Sequence, residues 1–134
     1  MTPGVYNLII QLPETREIQV GKLGKFTFPV GYYVYTGSAL RGLESRINRH
    51  LRKEKKLHWH IDYLLQYTDV IDVIAYETKE RLECKVNQYI LSLPDSRIIA
   101  KGFGSSDCNC LSHLIYFKNN VILNQEHNFA QDCQ

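Results

Sequence analysis

Residues 32–50 read YYVYTGSALRGLESRINRH. The segment opens as a strand, because tyrosine and valine suit a pleated, half-buried surface. It turns at Thr36-Gly37-Ser38 and continues as a helix, expected over roughly residues 40–53. There Leu43, Ile47 and Leu51 recur at four-residue spacing and mark an apolar stripe. Arg46 and His50 are also four apart, so they share one side of the helix, on the rim of that stripe. A core strand does not need hydroxyls, and a solvated helix does not need a cation and an imidazole in register beside its buried face. The arrangement points to a site that is packed at its base and open at its tip.

Upstream, GVYNLIIQL at 4–12 reads as a strand ended by Pro13. Residues 16–37 alternate but are broken by Gly21, Gly24, Pro29 and Gly31, which predicts one or two short strands with turns, returning to a strand at Tyr32–Tyr35. Downstream, LHWHIDYLLQY predicts a short helix with Ile61, Leu64 and Leu65 inward. VIDVIAYET reads as a strand. ERLECKVNQYILSL is a helix carrying Leu82, Val86, Tyr89, Ile90 and Leu93 on one stripe, with Pro94 just beyond and Glu83 on the stripe's edge. RIIAKGF and LSHLIYFK read as strands on either side of a GSSDCNC loop. The order lacks the regular alternation of a doubly wound fold. It gives an α+β class: a small antiparallel or mixed sheet flanked by helices. One domain over 1–134 is expected, with an inserted hairpin or loop around 13–31 and a polar tail from about 119.

Apolar residues make up 44% of the 134, enough for a packed core and against disorder. Apolar runs are only a few residues long and the start lacks a signal peptide's pattern, so no membrane association and a cytoplasmic location are expected. Net charge is +2, but it is unevenly spread. Between Arg41 and Lys56 lie seven basic residues and two acids, a local excess of five positive charges. Such an excess attracts phosphate, which makes Arg41, Arg49, Arg52, Lys53, Lys55 and Lys56 candidate nucleic-acid contacts.

GVY at 4–6 and YTG at 35–37 resemble the two halves of the signature that names the GIY-YIG nuclease superfamily. SALRGLESRINRH is similar to that superfamily's first helix, and the match puts Arg46 and His50 in its arginine and histidine roles. KKLHWHIDYLL and GFGSSDCNCLSHL are similar to the narrower branch of small Uri-type proteins, some fused to a base-excision DNA glycosylase. The resemblance spans roughly residues 4–117. It departs from the usual pattern in its spacer, since 29 positions separate Tyr6 from Tyr35. Tyr33 and Tyr35 both point to one strand face; Tyr35 is favoured because it directly precedes Thr36-Gly37.

The resemblance implies a metal-dependent DNA endonuclease acting in repair or processing, with Tyr6, Tyr35, Arg46, His50 and His58 as catalytic residues. Glu83 would be the ligand of Mg²⁺ or Mn²⁺. The alternative is a non-cleaving DNA-binding module of the same fold that partners a repair enzyme such as a glycosylase. The parts suit phosphodiester hydrolysis. Arg46 offers planar donors matched to phosphate. Magnesium keeps several waters and takes one or two carboxylates, so one glutamate suffices. A tyrosine serves as general base only if nearby cations lower its pKa from about 10.

HWHID sets His58 and Asp62 four apart, a helical spacing at which a carboxylate can orient an imidazole, either for catalysis or to brace the fold. The resemblance implies His58 over His60, because a further active-site histidine of the superfamily stands at this distance from the arginine matched by Arg46. The four cysteines, Cys84, Cys108, Cys110 and Cys133, are expected to be reduced. Cys84, Cys108, Cys110 and His113 have the chemistry of a zinc set. The C-x-C spacing and the distant fourth ligand put that reading second to a tight loop lining the cleft, in which glycines supply backbone freedom.

Overall fold

A computed structural model describes residues 2–106 and 108–121; the expected polar tail beyond 121, with Cys133, lies outside the described residues. Strands β1 (Gly4–Leu12), β2 (Arg16–Val20), β3 (Gly24–Phe28) and β4 (Gly31–Ala39) come first. Then follow α1 (Leu43–Leu51), α2 (His60–Leu65), β5 (Asp69–Glu77), α3 (Glu83–Leu91) and β6 (Leu114–Phe117). The class is α+β. A four-stranded sheet in the order β5-β1-β4-β6 is antiparallel throughout, and β2-β3 form a separate two-stranded hairpin. No helix among the described residues is long and apolar enough to cross a membrane.

β1 lies between β5 and β4 and is buried on both faces, which is why GVYNLIIQL is nearly continuously apolar. Tyr6, Leu8, Ile10 and Leu12, with Tyr33 and Tyr35, face one core shared with Leu43 of α1, Ile61 and Leu64 of α2, and Ile18, Val20 and Phe28 of the hairpin. Val5, Ile9, Val34, Ile115 and Phe117 face the other side, where Val86 and Ile90 of α3 cover them. The sheet is therefore a middle layer. The long spacer between the two tyrosines is the β2–β3 hairpin, whose apolar residues roof α2 instead of extending the sheet.

Two sequence expectations are corrected. RIIAKGF is not a strand: only Arg97 bridges to Tyr116, and the chain then coils through turns. Gly102 (φ 88°) and Gly104 (φ 66°) adopt the left-handed backbone that a strand forbids and glycine permits. The stripe of α1 is also rotated. Leu51 is 47% exposed and His50 is 2% exposed, because His50 has a polar partner within the core and Leu51 faces outward.

Candidate functional site

β1 and β4 pair with Tyr6 opposite Gly37. A Cβ on Gly37 would come within 2.6 Å of the Tyr6 ring carbon Cζ and 3.1 Å of the Tyr35 ring. The glycine of Tyr-Thr-Gly thus leaves room for the Tyr6 ring on a crowded strand. α1, running back across this face, carries His50 to Tyr6: Nε2 lies 2.7 Å from the hydroxyl.

Burial holds His50 neutral, lowering its pKa to about 4; Asp62 opposes that shift and the cations of Lys55, Arg46 and Arg49 reinforce it. Burial raises the Tyr6 pKa above its ordinary value. Arg46 pulls in the opposite direction and does not overcome it. The expectation of a tyrosine made acidic by nearby cations is therefore corrected: desolvation outweighs the guanidinium. Arg46 can only donate, so Tyr6 presents a lone pair toward it, while the ring tautomer of His50 decides whether Tyr6 gives its proton to Nε2 or accepts from it. Tyr35 is likewise raised by burial.

Arg46 is fixed twice. Its Nη1 donates to the Ser38 carbonyl at 3.0 Å, and its guanidinium stacks on Trp59 at 4.4 Å. Arg49 stacks on Trp59 as well, at 4.3 Å. Trp59 was not singled out by the sequence reading; an aromatic between two basic helix positions and a buried acid was the available signal. Asp62, fully buried, takes both guanidinium nitrogens of Arg49 at 2.9 Å and the backbone N–H groups of His58 and Trp59 at 2.8 and 2.9 Å. Burial pushes the Asp62 pKa up, but these donors together hold it below the usual carboxylate value. α2 starts at His60, so His58 precedes it, and Asp62 binds the backbone there instead of the imidazole.

A cleft of about 290 Å³ collects Tyr6, Tyr35, Arg46, His58 and Glu83, together with Trp59, Ser38, His60 and the loop residues Gly104, Ser106 and Cys108. α3 packs on the opposite sheet face, yet Glu83 in its first turn lines this cleft. His50 stands behind Tyr6 and does not line it. Tyr33, the rejected alternative, points to the far end and bonds the Pro29 carbonyl. A larger groove of about 620 Å³, lined by Leu93, Arg97 and Tyr116 among others, runs beside residues 119–121, where the described chain stops.

The basic stretch divides in two. Lys55 caps α1, its Nζ within 2.7 Å of the His50 and Arg52 carbonyls. Arg49 is committed to Asp62, and Lys53 reaches the Thr68 carbonyl at 2.7 Å. Arg41, Arg52 and Lys56 are exposed.

The loop between Gly102 and His113 forms the far wall. The Gly104 N–H donates to His60 Nδ1 at 2.9 Å, and the His113 N–H donates to the Phe103 carbonyl while the His113 carbonyl accepts from the Thr36 N–H. Cys84, Cys108, Cys110 and His113 bring one ligand atom each to within 4.8 Å of one another, so this Cys₃His cluster could hold a metal ion. The spacing argument against it fails because the fold brings the start of α3 to the loop. His113 Nδ1 lies 3.1 Å from Glu83 Oε2, at ion-pair range though off the line of a hydrogen bond.

No curated protein and no solved structure matches this chain. One family model, described as a domain of unknown function, DUF123, matches residues 5–133. The matched span runs from the start of β1 through β6 and takes in every residue that lines the cleft. By that match the chain belongs to the DUF123 family.

Proposed function

We propose that this protein is a metal-dependent DNA endonuclease of the GIY-YIG type. The carrying observation is that Tyr6, Tyr35, Arg46, His58 and Glu83, from five separate segments, line one cleft of phosphate-accommodating size. Arg46, braced by Trp59 and Ser38, is suited to hold a phosphoryl oxygen. The Glu83 carboxylate is partly open, with its side chain 29% exposed, and offers the hard oxygen donor that Mg²⁺ or Mn²⁺ prefers. When bound there, the cation supplies charge stabilisation to the phosphoryl and leaving oxygens.

The remaining roles belong to the chain itself. In the His50 tautomer that leaves Nε2 as acceptor, Tyr6 turns its proton to this neutral ring and aims a lone pair that orients and accepts from an attacking water. His50 is the positioning residue that holds this hydroxyl rotamer and takes the displaced proton. His58 stands at the open side of the cleft, in reach of a leaving group. Exposed Arg41, Arg52 and Lys56 extend a positive track for the backbone.

The test is a panel of labelled DNA substrates (flap, junction, damaged duplex, plain duplex) with magnesium, manganese or EDTA. Metal-dependent cleavage of any member supports the reading. Salt-sensitive binding without cleavage on every member replaces it with the DNA-binding module.

A further inference from the structure

We propose that Cys84, Cys108, Cys110 and His113 form a structural zinc centre that clamps the loop before β6 to the start of α3, with Glu83 orienting His113 from its second ring nitrogen. The proposal stands independently of the nuclease reading.

Tetrahedral zinc with bonds of about 2.0–2.3 Å puts its ligand atoms roughly 3.4–3.8 Å apart. His113 Nε2 lies 3.3 Å from Cys108 Sγ and 3.8 Å from Cys84 Sγ, and all four ligand atoms fall within 4.8 Å of one another. The spacing therefore already fits a four-coordinate ion. The three thiols are free and only partly buried. His113 is fully buried, and its Nδ1 lacks a hydrogen-bond partner while Glu83 Oε2 stands 3.1 Å away. A small turn of the imidazole toward an ion at Nε2 would let Nδ1–H align on that carboxylate. Carboxylate, histidine and zinc in sequence are the usual way a metal-bound imidazole is fixed in tautomer and orientation. Three sulfurs and one nitrogen suit zinc and not magnesium, which takes oxygen. On binding, three thiols release their protons to solvent and the ion takes three thiolates and a neutral imidazole.

The position explains what the clamp does. Cys84 sits in the first turn of α3 on one sheet face, and Cys108 and Cys110 lie on the loop that walls the cleft. The described loop has turns and few apolar anchors, so an ion would hold it where a core does not. A carboxylate has lone pairs on both oxygens, so Glu83 can serve His113 with Oε2 and keep the rest for the cleft.

The full-length chain, with any tag removed, is purified without chelator and its metal measured by mass spectrometry. About one zinc per chain is expected, with cobalt exchange giving intense thiolate-to-metal absorption. Cys84→Ser, Cys108→Ser and Cys110→Ser should each lose the zinc, and Cys133→Ser should keep it. Glu83→Gln should bind zinc about 10–100-fold more weakly. Wild-type chain that takes up no zinc when refolded with it, or holds iron instead, overturns the centre. So does zinc retained by all three serine variants or lost by Cys133→Ser. Unchanged zinc affinity in Glu83→Gln overturns the orienting role. None of these readouts depends on DNA cleavage, so loss of nuclease activity and loss of zinc are separately visible.

Discussion

Tyr6 and His50 are joined by a 2.7 Å hydrogen bond inside the core although 44 residues separate them in the chain. The other imidazole nitrogen, Nδ1, is buried without a partner. Tyr6→Phe would leave both ring nitrogens unsatisfied, a loss of roughly 1–3 kcal/mol of stability. Cleavage should fall by about two orders of magnitude or more, because the oxygen that orients water is gone. Denaturation and single-turnover rates on one substrate check both. A variant that cleaves as fast as wild type removes Tyr6 from the chemistry.

His50 also sets a pH dependence. Its pKa is lowered to about 4 in the folded protein against 6.5 as the ordinary value. The unfolded chain therefore binds a proton between these limits that the folded chain refuses. The stabilisation is present above about pH 6.5 and is lost as pH falls through about pH 4, by up to about 3 kcal/mol. Asp62, with its depressed pKa, adds a loss of the same sign at lower pH. Urea titrations near pH 7 and near pH 4 should show a smaller acid loss in His50→Gln than in wild type. Equal losses would take His50 out of the account.

Glu83→Gln should keep DNA affinity within a few-fold and reduce cleavage by about two orders of magnitude or more, as the charge that holds a hard cation is removed. The substitution is nearly isosteric and helix-compatible. Binding and rate are measured on the same DNA with magnesium. Equal rates for the two proteins would strike Glu83 from the site.

Asp62→Asn should destabilise the fold by about 3 kcal/mol, since Arg49 would lose its charged partner and one of four donors its acceptor. Trp59 would loosen with it, and Arg46 with Trp59, so phosphate affinity should drop although Asp62 itself does not line the cleft. Chemical denaturation and DNA titration test the two halves. Unchanged stability would mean that the buried carboxylate is not what seats Trp59.

Salt dependence should reflect the division of the basic stretch. With Arg46 and exposed Arg41, Arg52 and Lys56 at phosphates, the slope of log K against log salt should be roughly −3 to −4 on duplex DNA. Lys56→Ala should reduce it by about one. A slope near zero would leave the charge excess as a solvated surface.

The strands of β1 and β4 and the helices were legible because their apolar spacing is regular, and Ile61, Leu64 and Leu65 are buried as their periodicity requires. The α1 stripe misled at Leu51 because periodicity ranks residues by polarity, and His50 is buried by a specific bond to Tyr6 that lies far off in the chain. RIIAKGF misled because its apolar residues do enter the core, Ala100 and Phe103 among them, but from turns. The meeting of Cys84 with Cys108 and Cys110 is a tertiary fact: the fold brings the first turn of α3 to a loop far along the chain. The Trp59 stack needed both arginines to be placed before it could be read.

The pairing of β6 with β4 at Tyr32–Tyr35, and the bond from the Thr36 N–H to the His113 carbonyl, give the protein a built-in order of events. A chain emerging from the ribosome makes Tyr6, Tyr35 and Arg46 early, at about 5–20 residues each second, and the far wall of the cleft last. Until His113 and β6 have been made and docked, the earlier residues have no closed site to work in. The far wall of the cleft is thus completed only when β6, the last described strand of the sheet, has joined it.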